Sequence, residues 1–182
     1  LPSQFPFGST AQMLEVYEQV GFDSYWAPDH ILGVFHPGLW SEIPLSDLAA
    51  DPDAFYDPFC YGAVVGTMTD RPFGISVTDA TRRGAADLAR TALTLNDLNP
   101  GGFILGIGSG EAESLDPFGN DSQGFVDVII HDLDPDELRD IAHTIPFEMV
   151  QEVLFVGNTE ELTGQFEAYA RNGLEHVVLA NI

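Results

Sequence analysis

The chain has 182 residues, 45% of them hydrophobic, which suits one substantial buried core but falls short of a complete eight-fold (β/α) barrel of roughly 250 residues. Twenty-nine acids stand against six basic residues, all arginine, for a formal net charge of −23. That field repels nucleic acid and anionic membranes and argues against both as partners. No apolar run approaches the roughly 20 residues of a membrane span, nothing at Leu1 resembles a signal peptide, and the single Cys60 excludes an internal disulfide and any multi-cysteine zinc site.

A reducing cytoplasm is the expected compartment. The acids are scattered, not blocked, so a folded surface is expected in place of an acidic tail. Asp-rich and Lys-free, that surface suits a cytoplasm of very high salt, where screening removes the self-repulsion.

In chain order, LPSQFPFG reads as the inside of a strand whose start is missing. Ser9 or Thr10 can cap a helix through AQMLEVYEQV, with Met13, Leu14, Tyr17 and Val20 at helical spacing and Gly21 ending it. SYWAPDH is the next predicted strand with its loop, and residues 36–57, carrying prolines and acids, form a long irregular connection. YDPFCYGAVVGTMTD predicts a helix, RPFGISVTD a strand, AADLARTALTLNDLN a helix closed by Asn99 and Pro100. GFILGIGSG is then a continuous apolar strand, expected to be buried on both faces. After Gly119 the alternation breaks, and DPDELRDIAHTI follows no clear strand. EVLFVG (strand), NTEELTGQFEAYARNG (helix, with an Asn158–Glu161 capping box) and EHVVLANI (strand) resume it. The count is about six strands of βα units on a parallel sheet, with no helix after the last.

Loops after strand carboxyl ends build the sites of such folds. His30 sits in one of them, where it can protonate a substrate oxygen with Asp29 or Glu111 nearby, or serve as a structural histidine; spacing leaves both open. His36, His131, His143 and His176 have weaker contexts and are set aside. The GIGSGE stretch, residues 106–111, is neither the dinucleotide fingerprint nor a P-loop. Its glycines let a flat ring approach the backbone, or they make a tight turn. Arg82 and Arg83, at a helix start after the SVTD strand end, can hold an anionic group or balance the acidic surface. Trp26, Phe35, Trp40, Tyr56 and Phe59 can wall a ligand or fill the core. No spacing suits a metal.

Taken together, GFDSYWAPDH, SVTDATRR, LGIGSGEAESLDPFG and GLEHVVLANI resemble the luciferase-like flavin- and deazaflavin-dependent oxidoreductases. Within them the chain looks most like the phthiodiolone ketoreductases and related coenzyme F420 reductases. The resemblance implies a TIM-type (β/α)8 barrel, and hydride transfer between a deazaflavin and a small carbonyl/alcohol substrate, with FMN as the alternative cofactor. A homodimer is the expected assembly. Carried over by position, His30 and Glu111 are the catalytic residues. Ser76 and Val77 fall where a non-prolyl cis peptide lies behind the ring; Asp29, Thr78, Gly108, Ser109 and Gly110 join them as cofactor-binding residues, and Arg82 and Arg83 are placed toward the cofactor's anionic tail from their charge.

The resemblance also gives the break a meaning. Residues 1–119 resemble the first half of such a barrel and residues 120–182 its last βα units, with the middle lost near 119–124 of one partial barrel domain. A junction of two parts of a longer protein, an internal deletion and a naturally shortened barrel are the open origins. The first is favoured, because an open barrel exposes strand edges. A non-catalytic flavin-binding protein on a shortened barrel is the reading from outside the enzymes.

Overall fold

Three strands and the helices between them make up the part of the molecule that carries the expected site. The computed structural model describes residues 7–120 and 129–178. They divide into two units between Asp132 and Leu133, each taken by itself below. In the first, β1 (Tyr25–Ala27), β2 (Phe73–Asp79) and β3 (Phe103–Gly108) form a parallel sheet in the order β1-β2-β3. Helices α1 (Phe7–Val20), α2 (Pro58–Val65) and α3 (Ala85–Leu98) alternate with them. The class is α/β, consistent with part of a (β/α)8 barrel.

Local chemistry explains most element ends. Gly21 stops α1 at φ +84°, donating to the Tyr17 carbonyl at 3.0 Å. Asp57 caps α2 by accepting the Phe59 and Cys60 backbone N–H groups, with Pro58 in the first turn. The expected cap at Ser9 or Thr10 is corrected. The helix starts by Phe7, and Thr10 is buried inside it with its hydroxyl bonded to Tyr61, so it has no backbone N–H to serve. The helix expected over residues 56–70 ends at Val65, and two 3-10 turns, Pro37–Glu42 and Pro44–Asp47, shape the 36–57 connection.

The core lies on the helix side of the sheet. Tyr25 and Ala27 of β1 and Phe73 and Ile75 of β2 pack with Leu14, Phe59, Tyr61, Val65, Leu88 and Leu95. On the opposite face Trp26 covers Gly74, where an added Cβ would sit 2.5 Å from its ring. The expectation that β3 is buried on both faces is corrected. Phe103 and Leu105 join the core, but Ile104 and Ile107 are 39% and 54% exposed, because β3 is a sheet edge that no further described strand pairs.

The second unit holds α5 (Pro135–Thr144), α6 (Phe147–Val153) and α7 (Thr159–Arg171); α4 (Ala112–Leu115) belongs to the first. The Asn158–Glu161 capping box forms as expected. Phe155 packs on Phe166 and Tyr169, with ring centroids 5.1 and 5.2 Å apart. The strand expected at residues 152–157 is absent: Val153 ends α6, and the Leu154 N–H bonds back to the Val150 carbonyl. Residues 175–178 are not a strand either. A strand needs a neighbour for its backbone groups, and no described residue of this unit is buried or offers one. The expected first strand, the end of the last, and the junction from residue 121 on lie outside the described residues. No described helix is long and apolar enough to cross a membrane.

With a net charge of −23, added salt is expected to stabilise the fold. Raising KCl from about 0.1 M to about 2 M is expected to lift Tm by roughly 5–10 °C in a thermal scan. A Tm that is flat or falling over that range would remove the salt-adapted reading.

Candidate active site

Parallel strands send their carboxyl ends to one edge of the sheet, and the three loops leaving that edge carry His30, Arg82 and Glu111. Neighbouring strands lie about 4.8 Å apart, so β1 and β3 are separated by roughly 10 Å. His30 and Glu111 nevertheless meet over the end of β2, with Nδ1 3.4 Å from Oε2. Their side chains are 23% and 60% exposed, open to a ligand. The His30 imidazole holds the Glu111 carboxyl below its usual range, against the opposing effect of partial burial. Phe55, from the 36–57 connection, packs beside His30 with ring centroids 5.5 Å apart.

Below this pair β2 is bulged. Ile75 pairs with Leu105 and Thr78 with Ile107, so Ser76 and Val77 together oppose Gly106. The Ser76-Val77 peptide is cis, as the resemblance implies. Both side chains leave the core, and Val77 is 49% exposed in the central strand. It leans over β3. A Cβ on Gly106 would lie 2.4 Å from the Ile75 carbonyl oxygen and 3.0 Å from Val77 Cγ1, and one on Gly108 would lie 2.8 Å from Val77 Cγ2. The two glycines therefore make room for the bulge. Gly110 is the turn glycine: its φ is +95°, and a Cβ there would lie 2.4 Å from Leu115 Cδ1 and 3.2 Å from Asp79 Cβ.

The glycine loop thus divides between packing and turning. Gly106→Ala is expected to cost about 1–3 kcal/mol in urea unfolding, because the nearest obstacle is backbone; an unchanged midpoint would show that β3 can move away from β2.

Beneath the pair runs a buried ion network. The Arg82 guanidinium reaches Asp29 Oδ1 at 2.7 Å, the Asp29 carbonyl at 3.1 Å and Asp79 Oδ2 at 2.9 Å, while its backbone N–H donates to Asp79 Oδ1 at 2.6 Å. Thr78, fully buried, donates its hydroxyl to Asp29 Oδ2 at 2.7 Å. Arg83 pairs with Asp57 at 2.6 Å and lies 4.5 Å from the Phe59 ring centroid. Burial works against charge on Arg83, but Asp57, Asp29 and Asp79 outweigh it and raise its pKa above the usual arginine value. Asp57 is driven up by burial and brought net below its usual range by the Cys60 N–H and Arg83.

The expected site residues therefore fall into two groups. His30, Glu111, Ser76, Val77 and Ser109 are open at one sheet edge, with Gly108 and Gly110 half-buried among them. Asp29, Thr78, Arg82 and Arg83 lie in or against the buried network. The aromatic cluster also splits: Phe59 is core, Trp40 is buried with its indole N–H on the Ala49 carbonyl at 2.8 Å, and Trp26 lines the open face.

Sequence reasoning missed Asp79, Asp57 and Phe55. It also missed that His131 Nε2 lies 3.1 Å from Asp53 Oδ1. No local signal links two residues so far apart in the chain. Among the described residues no cluster suits a metal ion.

An exposed apolar bulge in the central strand, beside two glycines and under an imidazole–carboxylate pair, fits a flat conjugated ring laid against the sheet edge. The arrangement is that of an α/β protein, consistent with part of a barrel, whose candidate site residues lie at the strand ends. Comparison with known proteins extends this. Residues 1–129 match the family model described as luciferase-like monooxygenase, and the chain belongs to that family.

Among characterised relatives, the chain is 36% identical over 107 residues to a phthiodiolone/phenolphthiodiolone dimycocerosates ketoreductase of Mycobacterium sp. (strain JLS), covering 54% of this chain and 27% of that protein. The Mycobacterium kansasii protein of the same description is 39% identical over 107 residues, covering 54% and 28%. An F420-dependent glucose-6-phosphate dehydrogenase of Intrasporangium calvum is 38% identical over 97 residues, covering 52% and 25%. The matched part spans about a quarter of the length of these relatives.

Proposed function

We propose that the protein is an oxidoreductase that transfers a hydride between coenzyme F420 and a carbonyl/alcohol substrate. The observation that carries this reading is the His30–Glu111 pair, closed to 3.4 Å over the bulged end of β2. The names of the relatives, two ketoreductases and one F420-dependent dehydrogenase, support it.

In this reading His30 is the acid–base residue on the substrate oxygen. With Nδ1 turned to Glu111, the proton is handled at Nε2. Glu111 orients the imidazole. Ser76, Val77, Gly108, Ser109 and Gly110 would hold the ring, which when bound supplies the two-electron donor or acceptor carbon. Asp29 and Thr78 support that floor from beneath. Arg82 and Arg83, expected to face an anionic tail, already spend their charge on Asp29, Asp79 and Asp57, and the proposal assigns them no phosphate. The chain is read as one partial barrel domain in a cytoplasm, with a second copy covering the β3 edge.

The family's description favours one second reading, an FMN-dependent monooxygenase. Absorbance titration with F420 and with FMN tests both. A shift with the deazaflavin, followed by anaerobic hydride transfer, is expected; a shift with FMN and oxygen consumption would favour the monooxygenase. No shift with either would sink both enzyme readings, and a shift without turnover would leave a flavin-binding protein.

A further inference from the structure

We infer that Arg82 is a positioning residue that sets the spacing of His30 and Glu111 across the end of β2. The inference rests on reading that pair as the acid–base couple. His30 follows β1 and Glu111 follows β3, two strands that are not neighbours, so no ladder hydrogen bond fixes one loop against the other. What lies between them is the end of β2, where Arg82 reaches Asp29 on the β1 side and Asp79, which in turn abuts the β3 loop.

Toward β1, the guanidinium holds residue 29 at two atoms, Oδ1 at 2.7 Å and the carbonyl oxygen at 3.1 Å; that carbonyl belongs to the peptide bond leading into His30. Toward β3, Nε lies 2.9 Å from Asp79 Oδ2, an ion pair without hydrogen-bond geometry. Asp79 in turn presses on Gly110, the residue before Glu111, so closely that a Cβ there would meet Asp79 Cβ at 3.2 Å. Each end of this chain stops one residue short of the pair. The Arg82 side chain is 12% exposed, and those of Asp29 and Asp79 are 4% exposed, so the cation is turned inward to the loops and not outward to a ligand.

The geometry needs a planar fork. A lysine ammonium keeps the charge but is a point donor without the rigid spread of nitrogens that lets one side chain fix both partners. Charge alone would keep the network neutralised; only the fork keeps its spacing.

The test follows the Glu111 carboxyl by NMR during a pH titration of the full chain, in the wild type, Arg82→Lys and Thr78→Val. Wild-type Glu111 is expected to titrate below the usual carboxylate range, as His30 beside it dictates. In Arg82→Lys, folded by the amide signals of the three strands, it is expected to return to the ordinary range. Thr78→Val removes one bond to Asp29, leaves Arg82 in place, and is expected to give a smaller rise in the same direction. A depressed Glu111 in folded Arg82→Lys would overturn the inference. Should Arg82→Lys not fold, an unmoved Glu111 in Thr78→Val would overturn it instead.

Turnover separates this inference from the proposed function. With a productive cofactor, Arg82→Lys is expected to lower kcat roughly 10–100-fold with little change in the cofactor KM. A wild type that shows the paired titration but binds neither cofactor would end the functional proposal and leave the role of Arg82 standing.

Discussion

His30→Ala is expected to lower turnover by about 10²–10⁴-fold, the usual contribution of a positioned acid–base group, while cofactor affinity stays within a few-fold. The separation follows from the layout. His30 touches Glu111 and Phe55 at the rim of the site, whereas the surface offered to a ring is the bulge at Ser76 and Val77 beside Gly108. Removing the imidazole takes away the proton carrier and leaves that floor intact. The Glu111 carboxyl should then rise toward its ordinary value, since His30 is the principal cause of its depression.

The sign of the accompanying stability change is set by that depression. A carboxylate held low in the folded state stabilises it above the unfolded pKa and loses that contribution as pH falls through the folded value. Any stability advantage of wild type over His30→Ala is thus expected at neutral pH and should vanish in acid. With Glu111 60% exposed, solvent screening keeps it small. Steady-state kinetics with a parallel cofactor titration decides the main point: equal losses in kcat and in affinity would make His30 a binding residue.

Asp29→Ala is expected to be the most damaging change to the fold near the site, at about 3–5 kcal/mol in chemical denaturation. The cost comes from what remains. Arg82, 12% exposed, would keep Asp79 but lose the carboxylate at 2.7 Å, and Thr78 would keep a buried hydroxyl without its acceptor. Against a typical domain stability of about 5–15 kcal/mol, such a loss approaches unfolding. Asp29→Asn, whose one amide oxygen can still accept from Arg82 while its NH2 turns to the Thr78 hydroxyl, which can accept in its place, is expected to cost less. A loss below about 1 kcal/mol in Asp29→Ala would mean that water takes the place of the carboxylate.

The elements legible in the sequence are those with their signals inside a few residues. Gly21 ends α1, Asp57 with Pro58 opens α2, the Asn158–Glu161 box opens α7, and α3 spans Ala85–Leu98 almost as its periodicity predicts. β2 and β3 stand where their apolar runs lie, and the position of His30 and Glu111 just past strand ends is likewise a local fact. Apolar runs at residues 152–157 and 175–178 carry the same local signal without becoming strands, because a strand exists only with a neighbour.

By itself, then, the sequence determined the α/β alternation, the family, and which loops carry His30 and Glu111. Only the tertiary structure decided how those groups are placed. It showed that Gly106 and Gly108 yield space to Val77 and only Gly110 makes the turn, since that depends on the β2–β3 register. It turned Arg82 inward, because its partners Asp29 and Asp79 come together only when β1 and β2 pair. And it closed His30 on Glu111 across a strand that belongs to neither, a spacing that no local pattern encodes.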